Sequence, residues 1–137
     1  MREINFSIVI PTWKRAGLVE RLLASLDAER KEYQHGKTGV LVIDNSQGEE
    51  KERIEKACGA YRARYIEGVE SVRKKRNLGI TLAQYEYVLF IDSDVEVQAG
   101  LLDAHARGYL DNASNEKLAG TFGLTEFVGK KTIWWKI

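Results

Sequence analysis

Asp92-Ser93-Asp94 follows directly on the apolar run VLFI, residues 88–91. A buried strand that ends in two carboxylates puts paired negative charge at the edge of a sheet, where it is costly unless a cation answers it. The usual answer is a divalent metal with oxygen ligands, often one that also holds phosphate. The plainer alternative is a solvated loop whose aspartates cap the next helix. Two other apolar runs end in polar groups of the same kind. FSIVI (residues 6–10) runs into Pro11-Thr12, and GVLVI (residues 39–43) runs into Asp44-Asn45-Ser46. A block of four consecutive basic residues, Arg73, Lys74, Lys75 and Arg76, is a further candidate, although Lys74 and Lys75 read as the solvated face of a helix.

The elements that must position these residues alternate. Residues 6–10 form a short β-rich run that Pro11 is expected to stop. Leu18, Val19, Leu22, Leu23 and Leu26 then recur at helical spacing. A second strand over 39–43 precedes a charged helix over about 49–60, with Ile54, Ala57 and Cys58 on one side. Residues 64–66 form a weak third strand, and residues 72–83 a helix. Residues 87–91 form a fourth strand and residues 100–110 a helix, and a fifth strand is expected within 118–128. Near-continuous apolar strands between amphipathic helices predict an α/β fold, a mostly parallel sheet with helices on both faces. Ligands of such sheets sit outside the carboxyl ends of the strands. That is where the three polar clusters converge.

Composition narrows the function. The chain has 137 residues, enough for one domain, with 21 Lys and Arg against 20 Asp and Glu and a net charge of +1. This balance argues against a general nucleic-acid binder. One cysteine, Cys58, allows no intrachain disulfide and fits a reducing, cytoplasmic compartment. His35 and His105 have no Cys or second His at zinc-ligand spacing. No apolar run is long enough to span a membrane.

Four segments together, in order, resemble the nucleotide-binding half of family 2 glycosyltransferases, which have the Rossmann-like GT-A fold. They are IVIPTWKR, VIDNSQ, KRNLGI and FIDSD. Trp13 takes an aromatic place, and Lys14 stands where the family usually has Asn. The resemblance covers about residues 5–130, a single nucleotide-sugar-binding domain. It implies that Pro11 and Thr12 border the nucleotide, that Asp44 and Asn45 read the base, and that Arg76 and Asn77 lie near the nucleotide. Asp92 takes the ribose side with Ser93 beside it, and Asp94 binds the metal, Mg²⁺ or Mn²⁺, next to Asp92. An amide can accept from an imide N–H while donating to a neighbouring carbonyl, so Asn45 suits uracil or thymine and favours a UDP- or dTDP-sugar. A simple helix cap is the other reading of Asp44-Asn45-Ser46. The reaction implied is transfer of a sugar to an acceptor hydroxyl, with Asp92 and Asp94 as its catalytic residues.

The general base is not identified. Asp103, Asp111, Glu116 and Glu126 match no base motif. The apolar end TIWWKI leads to the expectation of a chain cut before its acceptor-binding part, or one that self-associates there. Two alternatives remain. Haloacid dehalogenase phosphatases also place Asp-x-Asp at a strand end, but that motif opens their domain and needs a later Lys and further acids. The other alternative is a non-catalytic nucleotide-binding or assembly fragment.

Overall fold

The computed structural model describes residues 2–123. The elements alternate as β1 (Phe6–Thr12), α1 (Ala16–Glu32), β2 (Thr38–Asp44), α2 (Gly48–Ala60), β3 (Arg64–Glu67), α3 (Val72–Leu82), β4 (Tyr87–Phe90) and α4 (Leu101–Asp111). The four strands form one sheet in the order β3-β2-β1-β4, and every pairing is parallel. The expected α/β architecture with helices on both faces is what forms.

Side-chain alternation along β1 divides the core. Phe6, Ile8 and Ile10 point to one face, with Val40 and Val42 of β2. They pack there with Leu22 and Leu26 of α1, Ile54 of α2 and Leu102 of α4. Val9, Leu41 and Ile43 point to the other face, beneath Leu78 and Leu82 of α3. The approach of α3 is close enough that a Cβ on Gly79 would overlap both methyl groups of Val9. Gly79 is therefore the residue that lets α3 lie on β1 and hold its first turn over the strand ends.

Pro11 does not stop β1, contrary to expectation. The strand continues to Thr12, with Pro11 in register with Ile43 of β2. The Val9 carbonyl accepts the Ile91 N–H on the β4 side. The nitrogen of Pro11, two residues on, faces that same side, and the ladder with β4 has already ended at Phe90. The missing donor thus costs no sheet hydrogen bond. Of the expected fifth strand, residues 118–123 take no regular structure, and the remainder lies outside the described residues.

The strand order reverses between β1 and β4. From β1 the chain moves through β2 to β3 on one side, then crosses to β4 on the other. This is a topological switch point, the place where parallel sheets open a crevice at their carboxyl ends.

Candidate functional site

A cleft of about 420 Å³ opens at that switch point, lined by Pro11, Thr12, Trp13, Arg15, Val72, Lys75, Arg76, Asp92, Ser93 and Asp94. Its floor is the end of β1 and its far wall the turn after β4. Its near wall is the first turn of α3. That turn begins at Ser71, which sits at φ 77° and ψ 137° and whose hydroxyl accepts the Lys74 N–H. Such a backbone is strained for a non-glycine residue, and strain of this kind gathers where a segment must be held for function.

Of the residues expected from sequence, Pro11, Thr12, Arg76, Asp92, Ser93 and Asp94 share this cleft. Asp92 and Asp94 are exposed, with Ser93 buried between them. Arg76 Nη2 donates to Asp92 Oδ1 at 3.0 Å. Arg15 lies 3.9 Å from Asp94 Oδ2, with both side chains more than half exposed. So loose a pair contributes little and leaves the Asp94 carboxylate able to turn to another cation. Two buried side-chain polar atoms lack a hydrogen-bond partner among the described residues, Thr12 Oγ1 and Arg76 Nε. Both belong to this cleft, and an unmet buried polar group costs about 1–3 kcal/mol. A polar ligand would satisfy them.

Asn77 is exposed on the neighbouring face of α3 and does not line the cleft. Asp44 is fully buried. Its Oδ1 accepts the Ser46 hydroxyl at 2.6 Å and its Oδ2 the Tyr65 hydroxyl at 2.8 Å. Each carboxylate oxygen thus already accepts one hydroxyl, within a side chain closed off from solvent. Burial, and then the hydrogen bond to Asp44, push the Tyr65 phenol above its ordinary pKa, so it remains the donor. Ser46 Oγ also accepts the Lys14 N–H at 2.7 Å, which ties the loop after β1 to the end of β2. In this structure Asp44 braces the two loops.

Lys75 corrects the sequence reading. It is not part of a solvated face: only 3% of it is exposed, and its Nζ donates to the Thr12 carbonyl at 2.7 Å and to Asn45 Oδ1 at 2.6 Å. Burial lowers its pKa, and the nearby Asp44 charge opposes that shift. The signal for this burial was present in the sequence. Lys75 stands at i, i+3, i+4 and i+7 spacing with Leu78, Gly79 and Leu82, the inward stripe of α3.

No group of three His, Cys, Asp or Glu side chains converges among the described residues. A divalent ion held by Asp92 and Asp94 would have to complete its shell with ligand oxygens and water, the pattern of Mg²⁺ held against a diphosphate. The two aspartates do not form an all-protein cage. None of the base candidates among the described residues lines the cleft. Asp103 pairs with His35 and Arg107, and the His35 carbonyl accepts the Ile4 N–H at the opposite end of the sheet. Asp111 and Glu116 are exposed beyond the cleft lining, and Glu126 lies outside the described residues. Cys58 is buried, and desolvation, followed by the charges of Asp44 and Glu55, pushes its thiol up to about 12, so it is inert.

Comparison with curated protein sequences finds no match. Among solved structures, S. aureus TarS 1–349 in complex with UDP is 27% identical over 80% of this chain, with a TM-score of 0.62. The same protein in complex with UDP-GlcNAc is 24% identical, with a TM-score of 0.64. The mannosyltransferase PcManGT from Pyrobaculum calidifontis, in complex with GDP-Man and Mn²⁺, is 20% identical over 76% of this chain, with a TM-score of 0.66. The chain spans about a third of each of these, 32% of their length. The family model for glycosyl transferase family 2 matches residues 7–115, most of the sequence, and the chain belongs to that family.

Proposed function

We propose that the cleft binds a nucleoside-diphosphate sugar and that the protein transfers the sugar to an acceptor hydroxyl, with Asp94, and Asp92 beside it, holding Mg²⁺ or Mn²⁺ against the diphosphate. The observation that carries this reading is the pair of unmet polar atoms, Thr12 Oγ1 and Arg76 Nε, on residues that share one cleft with two exposed carboxylates. Support also comes from the solved relatives that contain UDP-GlcNAc, or GDP-Man with Mn²⁺.

A divalent ion, when bound, would offset the charge growing on the departing diphosphate. The chain's own residues do the rest. Arg76 holds the Asp92 carboxylate in place at the ribose side. Lys75, Arg76 and Arg15 add positive potential around a ligand that carries negative charge. Trp13, 53% exposed at the rim, can cover the base or ribose. Asn45 reads the base, and Asp44 acts through Ser46 and Tyr65 to set the loop that presents it. The phosphatase alternative has no support here. Its nucleophile would be Asp92, which Arg76 already engages, and the family match lies elsewhere. Among the described residues no helix is long and apolar enough to cross a membrane.

Calorimetry with UDP tests this reading. Binding should be tighter with Mn²⁺ or Mg²⁺ than with a chelator. Equal affinity in both would remove Asp94 as a metal ligand, and failure of every common nucleoside diphosphate to bind would remove the nucleotide site.

A further inference from the structure

The Lys75 ammonium sits over the seam between β1 and β2, held by the Thr12 carbonyl from one strand end and by Asn45 Oδ1 from the other. An ammonium carries three donors and no acceptor, so only the oxygen of the Asn45 amide can face it. The amide is therefore fixed in one orientation. Its NH₂ is turned away from Lys75, and one lone pair of Oδ1 is already taken. A rotation of 180° would bring the amide NH₂ against a buried cation.

We propose that Lys75 is a specificity-determining residue of the nucleotide site. By locking Asn45, it selects a base whose edge offers an N–H beside a carbonyl and rejects one whose edge offers a bare ring nitrogen beside an amino group. This rests on the nucleotide reading above. Uracil at N3 and O4 meets the locked amide with both hydrogen bonds made, N–H to Oδ1 and amide NH₂ to carbonyl. Cytosine presents the reverse pattern and needs the amide flipped. The burial of Lys75 is what makes the lock effective, because a buried charge mismatch is poorly screened. Sites that hydrogen-bond a specific edge discriminate strongly for this reason.

The test compares UDP with CDP, which share ribose and diphosphate, so that their affinity ratio reports the base alone. Calorimetry with Mn²⁺ on the full chain should give UDP about tenfold or greater preference. Lys75→Met keeps the length and burial of the side chain but frees the amide. Its UDP-to-CDP ratio should fall to within about threefold of one, while the metal dependence of UDP binding persists. Asn45→Asp keeps a partner for Lys75 and removes the NH₂ donor; the carboxylate then accepts one N–H from either base, N3–H of uracil or N4–H of cytosine, so the UDP-to-CDP ratio should fall toward one. This variant also serves if Lys75→Met fails to fold in circular dichroism. A Lys75→Met chain that retains the wild-type ratio, or loses UDP and CDP equally, overturns the proposal, as does an Asn45→Asp chain that keeps the wild-type ratio. Wild-type protein that binds neither diphosphate removes the nucleotide site itself, and this proposal with it.

Discussion

The carboxylate of Glu29, in the last turn of α1 on its buried side, accepts the backbone N–H of Leu102 at 3.0 Å, and its other oxygen accepts that of Gly100 at 2.9 Å. One side chain thus satisfies two of the open donors at the start of α4. A nearby contact on the same helix, Ser25 Oγ to the Val97 N–H at 3.0 Å, secures the preceding loop. That loop carries Asp92 and Asp94. The geometry of the cleft wall is therefore set from α1, on the far side of the core from α3. Glu29→Ala would leave both N–H groups without a partner in a buried place, and it should destabilise the fold by about 1–3 kcal/mol. Urea unfolding measures this. A change under about 0.5 kcal/mol would mean that water replaces the cap without loss.

Asp94 and Arg76 should separate in their effects. Asp94→Ala should remove the metal-dependent part of UDP binding and leave the melting temperature nearly unchanged, because the side chain is 59% exposed and its Arg15 contact is loose. Arg76→Ala should weaken UDP binding with the metal response retained, because it releases Asp92 without touching Asp94. Mn²⁺ titrations monitored by UDP affinity distinguish the two. If Asp94→Ala keeps its metal response and Asp92→Ala loses it, the ion belongs to Asp92.

The strands, the helices and the cleft-lining motifs were legible in the sequence because each rests on a local pattern. VLFI before Asp92 and the leucine spacing of α1 need no tertiary information. Pro11 misled because its meaning depends on where a neighbouring strand stops, which no local pattern records. Lys75 misled because charge outweighed position. It occupies an inward slot of α3, but a run of four basic residues reads as a wet surface. The sequence pairs Asp44 with Asn45, but the Tyr65 hydroxyl that closes on Asp44 comes from β3, the weakest strand in the sequence.

Asp27 gives the fold an acid-sensitive contact. Burial of this side chain raises its pKa, but hydrogen bonds from Lys31 and Arg62 outweigh that effect and hold it below the ordinary 3.8. A depressed folded value contributes stability above the unfolded pKa, and that contribution fades as pH falls through the folded one. Both partners are largely exposed, at 64% and 62%, so salt weakens the contact. Asp27→Asn should lower stability at pH 7 and flatten the loss of stability below about pH 4. Chemical denaturation from pH 2.5 to 7 at two salt concentrations checks this. Parallel curves for wild type and variant would show that Asp27 titrates alike in the folded and unfolded chains.

Lys14 takes a backbone conformation that suits glycine or asparagine better than lysine. Its φ is 53°, in the left-handed region, where a side chain beyond glycine, asparagine or aspartate costs about 1–2 kcal/mol. The bend is required because it aims the Lys14 N–H at Ser46 Oγ, and through it at Asp44. The ammonium recovers part of that cost by lying 4.6 Å from the Trp13 ring centroid, an exposed cation–π contact. Lys14→Asn relieves the backbone and gives up the ring contact, so a gain of about 0.5 kcal/mol is expected, with a small rise in melting temperature. Lys14→Ile places a β-branched residue at the same φ and should cost about 1 kcal/mol or more. It should also loosen the loop that carries Trp13 and so weaken UDP binding. Thermal melts of the two variants, paired with UDP titrations, decide the matter. If isoleucine is tolerated as well as asparagine, the loop has other conformations open to it, and the tie from Lys14 to Ser46 does not hold the cleft.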